Sequence, residues 1–406
     1  MKCAGPFILS SIMNRQILII LLFSVFIALL GIGIIVPVMP DFATRLGASG
    51  TSLGLMIAAF SLTRGFFQPI VGTFSDRWGR KGFLIAGLFI YGLVGLVLPE
   101  AKSVANLIII RSFHGFGSAM IMPVAMAYVS ELAPAGEEGR YMALLNIVIF
   151  SGFGGGPMLG GFFADLWGMA SAFYAMAGLS FLAMALLLLR MPGMPAKKTP
   201  APVGLGIFRT MGRVFVSRRT NGILLARMVT MFIMVPTMAF LPLLMHQKFQ
   251  ATGIMIGVII TVRTLTNAVL QVPCGRMADR RDKVSLLIIG CLIISLIMVL
   301  VPLAADFMQL LLLFAVLGAG EALIWPVLGA LAAEEGKHYG HGTMMGVFSL
   351  AMSSGIFFGS LGAGWVRDFW SLNWSFVTIG ITVLFLSLAA AALIRSGSKE
   401  TQGVKS

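Results

Sequence analysis

The ten residues GTFSDRWGRK, Gly72 to Lys81, form a short basic turn between two long apolar runs. Its two glycines permit a tight connection between helices, and its aspartate is placed to cap the helix that follows. The turn recurs in part 203 residues later. Three of its positions are identical in both copies, namely Gly72 and Gly275, Asp76 and Asp279, and Arg77 and Arg280. A charged turn that occurs twice indicates two copies of one structural unit.

The composition indicates a membrane protein. Hydrophobic residues make up 58% of the 406 residues and charged residues 11%, whereas soluble domains carry about 25% charged residues. A helix that spans a bilayer needs roughly 20 mostly apolar residues, and the sequence offers twelve such runs. Three of the runs are interrupted by a charged residue, near Arg111, Arg263 and Glu321. The other nine contain no Lys, Arg, Asp or Glu, and they are 16–40, 46–63, 82–99, 141–164, 166–189, 228–247, 284–305, 338–366 and 369–394. We predict an all-α membrane protein with twelve transmembrane helices.

The repeat divides these helices into two sets of six. The offset of 203 residues continues without gaps through the spans, where it aligns Gln68 with Gln271, Pro123 with Pro326, Asp165 with Asp368 and Trp167 with Trp370. A stretch rich in Pro and Lys separates the copies. We predict two pseudo-symmetric six-helix bundles, 1–189 and 221–406, joined by a cytoplasmic linker at 190–220. Substrate sites lie between the halves in transporters built from such repeats.

The distribution of Lys and Arg predicts the orientation, because these residues accumulate in cytoplasmic loops. With the loops assigned alternately to two sides, 21 of the 29 Lys and Arg residues lie on the side of the N-terminus and four on the other. We predict a multi-pass protein of the inner cell membrane with both termini in the cytoplasm. The same bias accounts for the net charge of +14, so we expect no binding to nucleic acid.

The sequence contains no catalytic pattern. Its three cysteines, Cys3, Cys274 and Cys291, lack the spacing of a metal site or a redox motif. No phosphate-binding loop or nucleophile motif is present either. We predict that the protein is not an enzyme and uses no metal and no cofactor.

Four motifs resemble those of the major facilitator superfamily. GTFSDRWGRK resembles motif A, RSFHGFG at 111–117 resembles motif B, GIGIIVPVMP at 31–40 resembles motif D, and GFGGGPMLGG at 152–161 matches the antiporter signature. Within the superfamily, the chain resembles the twelve-span drug:proton antiporter branch, which includes multidrug and tetracycline efflux transporters. The resemblance implies alternating access by rocking of the two halves.

The resemblance also implies two moving parts. A cytoplasmic latch between the halves would comprise Gly72, Asp76, Arg77 and Arg80 with Glu131 as a partner, and in the second copy Asp279 and Arg280, with Lys283 at the position of Arg80. A hinge or seal would comprise Gly152, Gly156, Pro157, Gly160 and Gly161, since small residues let membrane helices approach closely and proline permits a bend.

Charged residues within the spans are the candidates for proton coupling and substrate binding, because each is costly in hydrocarbon. Arg111 matches the motif B arginine, and His114 lies one turn further, where the family usually has glutamine. The repeat places Glu321 on the face equivalent to theirs, with Trp325 one turn beyond. Glu321 is either the principal site for a proton or a cationic substrate, or the partner of an arginine in a buried ion pair.

Two further spans carry polar stripes on equivalent faces. Arg64 and Gln68 lie one turn apart in the second span, and Arg263, Asn267 and Gln271 follow the same spacing in the eighth. The stripes form either a hydrogen-bonded seam or an anion path. A fifth charge, Arg227, lies near the inner end of its span, where its side chain would reach the lipid surface.

These observations support two functions. The first is proton-coupled efflux of a small amphipathic compound or drug by alternating access. The alternative is transport of an organic or lipid-linked anion by the intramembrane arginines, Arg64 and Arg263. The first span contains no acidic residue, which argues against a pocket for cationic drugs. In both cases the partners are a small molecule, protons and the lipid bilayer, and the chain is expected to act as a monomer.

Overall fold

The computed structural model describes residues 5–134, 138–191, 215, 217–339 and 341–403. All regular elements in these ranges are helical. The α-helices are α1 Gly5–Ile35, α2 Met39–Arg45, α3 Gly50–Trp78, α4 Arg80–Val97, α5 Val104–Leu132, α6 Glu138–Trp167, α7 Met169–Arg190, α8 Arg218–Thr230, α9 Leu241–Phe249, α10 Gly253–Arg280, α11 Lys283–Leu300, α12 Phe307–Tyr339, α13 His341–Phe369 and α14 Leu372–Gly403.

Eleven helices of the described chain are long and apolar enough to cross a membrane. The span predicted at 228–247 is not one continuous helix. It starts earlier, at Arg218 in α8, and a π-helical segment at Pro236–Phe240 separates α8 from α9. Pro236 and Pro242 interrupt the backbone hydrogen bonds here, because proline has no N–H. The seventh span in chain order is therefore a broken helix.

Helices of each half pack mainly against one another. Helix α1 contacts α6 and α7, and α5 lies between α3 and α4; in the second half, α8 packs on α14, and α12 contacts α10 and α11. The halves meet along two seams, α3 against α13 and α6 against α10. Most of the predicted linker at 190–220 lies outside the described residues, and α8 begins before its predicted end.

The two seams are tight at one end of the molecule, which we call the closed end. A Cβ atom at Gly54 would collide with the backbone of Ser360, and one at Gly161 with the backbone of Gly253. At the other end of the first seam, a Cβ at Gly72 or Gly346 would meet nothing within 4 Å. The helices of this seam therefore diverge from the closed end toward the end that carries the basic turn.

Two carboxylates connect the halves at the closed end. Asp368, at the end of α13, accepts hydrogen bonds from the amides of Gly50 and Thr51, the latter at 2.7 Å. Asp165, at the end of α6, accepts from the amides of Gly253 and Ile254, both at 2.9 Å. Each carboxylate thus caps a helix of the opposite half, at the positive end of the helix dipole. The two caps are related by the 203-residue repeat.

We expect the double change Asp165→Asn and Asp368→Asn to open the closed end. A charge at a helix N-terminus contributes about 0.3–2 kcal/mol. If the closed conformation loses about 1 kcal/mol of stability in total, the ratio of open to closed molecules rises roughly fivefold. Spin labels at Lys102 and Ala305, both exposed at this end, should report longer distances by double electron–electron resonance. The change Asp282→Asn is the matched control, since Asp282 caps α11 within its own half. Unchanged distances in the double variant would contradict this role.

Candidate functional site

The predicted latch region contains two equivalent ion pairs. Arg80 Nη1 lies 2.9 Å from Glu131 Oε2, and Lys283 Nζ lies 3.2 Å from Glu334 Oε1. Both pairs join the start of one helix to the end of another helix in the same half. In this conformation they stabilise each half rather than hold the halves together. Arg219 also contacts Glu334, at 2.5 Å.

Two other latch residues, Asp279 and Arg280, form no such contact with the described side chains. Asp279 and Arg280 are exposed, and no ion pair between described side chains includes them. The side chains of Asp76 and Arg77 lie outside the described residues. The second copy of the turn therefore uses Lys283 for its ion pair in this conformation.

The glycine motif of α6 has two contact faces. Gly152, Gly156 and Gly160 face α1, where a Cβ would collide with the backbone of Phe26, Gly33 and Ile34, respectively. Pro157 and Gly161 face α10 of the opposite half, and their backbone lies against Gly257 and Gly253. The motif thus fills the second seam between the halves.

Arg111 and His114 form a buried cluster in the first half. Arg111 Nη1 lies 2.7 Å from His114 Nδ1, and its guanidinium stacks over Phe60 at 4.4 Å. The imidazole also packs edge-on against Phe60 and Tyr91. Since arginine only donates, Nδ1 must accept, and the neutral ring carries its proton on Nε2. A second proton at Nδ1 would have to displace Arg111.

Glu321 and Arg263 form the buried ion pair of the second half. Arg263 Nε donates to Glu321 Oε2 at 3.0 Å, and Nη2 donates to Oε1 at 2.5 Å. The two side chains are 4% and 7% exposed. This bidentate geometry is the strongest arrangement for an arginine and a carboxylate. The structure does not join Glu321 to Arg111 or His114, which lie in the other half with their own partners.

Arg64 has a different neighbour from Arg263, which pairs with Glu321. Arg64 Nη2 points toward Met352 Sδ, at 4.0 Å. Arg227 Nη2 approaches the same sulfur to 2.9 Å, and its guanidinium lies 5.2 Å from the ring of Trp325.

The expectation that Arg227 reaches the lipid surface is wrong, because its side chain is turned inward and the residue is 8% exposed. The sequence analysis did not place Arg227 beside Arg64 and Met352. The available signal was an arginine followed, later in the same predicted span, by Pro236 and Pro242.

The comparisons with known proteins agree with this architecture. The sequence matches the profile of the Major Facilitator Superfamily twice, over residues 21–237 and 223–406. The chain belongs to this superfamily. The two matches cover one half of the fold each and overlap at the broken seventh span. As a member of the Major Facilitator Superfamily, the protein is a transporter rather than an enzyme.

Relatives of the drug-efflux type are among its matches. Multidrug resistance protein 1 of Bacillus subtilis is 27% identical over 374 residues, which cover 90% of this chain and 93% of the relative. An MFS-type transporter of Methanocaldococcus jannaschii is 29% identical over 345 residues, 84% of this chain and 89% of the relative. The crystal structure of a bacterial homologue of the lysosomal transporter Spinster, inward-facing and unoccupied, superposes with a TM-score of 0.78 at 12% identity and covers 98% of both chains. This last likeness shows the fold.

We expect Arg263 and Glu321 to depend on each other for stability. Replacing either residue by Gln leaves its partner as an unpaired buried charge, which costs on the order of 3 kcal/mol or more. The double variant should lose less than the sum of the two single variants. Thermal unfolding of the purified protein in detergent measures all three.

Arg45→Gln is the control for this cycle, because the Arg45–Asp41 pair is exposed and should contribute about 0–1 kcal/mol. Strictly additive losses for Arg263 and Glu321 would show that the two side chains act independently.

Proposed function

We propose that this member of the Major Facilitator Superfamily exports a small amphipathic compound in exchange for protons. The observation that carries the proposal is the buried Arg263–Glu321 pair, which lies between α10 and α12 beside the second seam. The antiporter motif at 152–161 and the multidrug-resistance relative support the same class of transport. Intramembrane carboxylates paired with arginine are the groups that proton-coupled transporters use.

Protonation of Glu321 removes one charge of the pair and leaves Arg263 without its counter-ion. The backbone of Arg263 packs directly against Gly318 of α12, so the ion pair and this close contact hold α10 to α12. Helix α10 also carries Gly253 and Gly257, which contact α6 of the opposite half. A proton on Glu321 therefore loosens the helix that forms the second seam, and so biases the equilibrium between the two access states.

His114 supports proton transfer less directly. It is fully buried, and its Nε2 has no hydrogen-bond partner within the described chain. Arg111 occupies its other nitrogen. We assign Arg111 and His114 to a second polar cluster whose rearrangement accompanies transport, with Glu321 as the principal proton site.

The proposed direction follows from the distribution of Lys and Arg. With the basic end of the bundle in the cytoplasm, the closed end faces outward and the conformation described here is open to the cytoplasm. A compound enters from the cytoplasm or the inner leaflet, and a proton enters from outside. One chain contains both halves of the transport path, so the proposed working unit is a monomer in the inner cell membrane.

We expect Glu321→Gln to lose uphill transport and keep exchange, because the amide cannot release a proton. The assay uses proteoliposomes with an imposed pH gradient and three fluorescent amphipathic probes: the cation ethidium, the neutral N-phenyl-1-naphthylamine and the anion 2-naphthoate. We expect the unmodified protein to accumulate at least one of these probes when the pH gradient is imposed. Counterflow of that probe without a gradient should survive in Glu321→Gln.

Glu335→Gln is the matched control. Glu335 is also a buried carboxylate of α12, but it pairs with Arg219 and Thr220 at the other end of that helix. This variant should retain uphill transport. Full uphill transport by Glu321→Gln would overturn the assignment of the proton site, and no gradient-driven transport of any probe by the unmodified protein would count against proton-coupled export.

A further inference from the structure

Among the described residues, three arginines in the interior of the spans have no carboxylate partner. Glu321 neutralises Arg263, but no ion pair between described side chains involves Arg64, Arg111 or Arg227. Arginine keeps its charge in proteins, and an unpaired cation at membrane depth is costly. Arg111 has its own neutral partners, His114 and the ring of Phe60. Arg64 and Arg227 remain as a separate pair of cations.

These two cations converge on one sulfur atom from opposite halves of the protein. Arg64 belongs to α3, Arg227 to α8, and Met352 to α13. Both Nη2 atoms lie within 4.0 Å of Met352 Sδ, so the two guanidinium groups are close neighbours. A thioether is a weak acceptor without charge, so it cannot balance either arginine. The arrangement brings two positive charges together, and the described residues place no carboxylate between them.

Polar atoms around this pair are also without partners. The Nε atoms of Arg64 and Arg227, Oε1 of Gln68 and Oγ of Ser353 are buried and accept or donate no hydrogen bond within the described chain. Gln68 lies one turn from Arg64, and Ser353 follows Met352 and packs against Gly65. Buried polar groups are normally satisfied. Unused donors from two arginines and a serine fit the oxygens of one anionic group.

Aromatic rings lie next to the same point. The Arg227 guanidinium lies 4.9 Å from the ring of Phe348 and 5.2 Å from that of Trp325. Phe150 of α6 lies 6.0 Å from Trp325, so these rings extend across to the first half. A ligand with its charge between the arginines would place an apolar body against these rings. The seventh span is broken directly after Arg227, and discontinuous helices mark binding sites in this kind of transporter.

We propose that Arg64 and Arg227 form the substrate site for an amphipathic monoanion, a carboxylate or phosphate group attached to an apolar body. This inference rests on the proposed export function and names its substrate class. The anion lies between α3 of one half and α8 and α13 of the other. Its binding replaces the repulsion between two cations with attraction to both, which draws the halves together around the substrate. Arg263 is not part of this site, because Glu321 already neutralises it.

The test compares three probes of the same shape and different charge on the unmodified protein. Binding of 2-naphthoate, 2-naphthylmethanol and 2-naphthylmethylammonium is measured at neutral pH by isothermal titration in nanodiscs of phosphatidylcholine, without a pH gradient. We expect 2-naphthoate to bind tightest. Equal or tighter binding of the cation, or no binding of the anion, would overturn the proposal whether or not any variant folds.

The variants Arg64→Gln and Arg227→Gln should each weaken 2-naphthoate binding roughly tenfold or more, the loss expected for one charge-assisted hydrogen bond. Binding of the neutral alcohol should change little. Arg227→Lys should restore part of the affinity, because it keeps the charge. The matched control is Arg367→Gln, since Arg367 also stacks over an aromatic ring, Phe240, at 5.6 Å but lies far along α13 from Met352. Unchanged naphthoate affinity in both Gln variants would overturn the site.

The lipid composition of the nanodisc distinguishes two sources of the anion, a membrane lipid and a soluble compound. Adding phosphatidylglycerol should weaken 2-naphthoate binding if the site takes an anionic lipid, and should leave it unchanged if the site takes a soluble anion. Either result is consistent with the site and assigns its source. If the binding test fails while the unmodified protein still shows gradient-driven transport, the substrate class is refuted and the export function is not. If the unmodified protein binds the anion selectively while Glu321→Gln keeps full uphill transport, the proton site is refuted and the anion site is not.

Discussion

Close backbone contact between α6 and its two neighbours is the constraint on which the fold depends. In hydrocarbon, helices gain little from burying apolar surface, so association relies on close packing of small residues. The glycines of α6 bring its backbone against α1 on one side and against Gly253 and Gly257 of α10 on the other. The first contact builds the first half of the protein. The second contact lies between the halves, and it has to change for the molecule to alternate its access.

The buried charges are arranged around the same seams. The Arg263–Glu321 pair holds α10 to α12 in one half, so its protonation state acts on the helix that packs against α6. Arg64 and Arg227 lie on opposite halves beside the seam between α3 and α13. The charges of the first cluster balance each other, whereas the described chain places no carboxylate against the second. In the proposed mechanism, proton binding and substrate binding would act on different seams of one interface, and two distinct sites are what coupling requires.

The internal repeat explains why much of this was predictable. Close contacts between helices favour Gly, whereas bends favour Pro, and helix caps and ion pairs favour Asp and Lys or Arg. A duplicated fold imposes the same preferences twice. The offset of 203 residues relates the ion pair Arg80–Glu131 to the ion pair Lys283–Glu334. The same offset relates the helix cap formed by Asp165 to the one formed by Asp368. The first relation followed from the sequence alignment of the two copies. The cap contacts did not, because a carboxylate at a helix end gives no sign of which helix it will cap.

Composition and periodicity by themselves determined that the chain is a membrane protein, that it carries twelve spans in two copies, and that its glycine-rich fifth span is a contact helix. These properties follow from local chemistry, since the hydropathy of each residue and its spacing along the chain can be read without knowing the tertiary contacts. Tertiary structure decided which charges meet. From the sequence, Glu321 could have paired with any of four arginines within the spans, and the packing of α10 against α12 brings Arg263 to it. Packing of α8 also turned Arg227 inward, where it approaches Met352 together with Arg64 of the other half. Such pairings depend on helix rotation and on the approach of distant segments, which no local pattern of residues records.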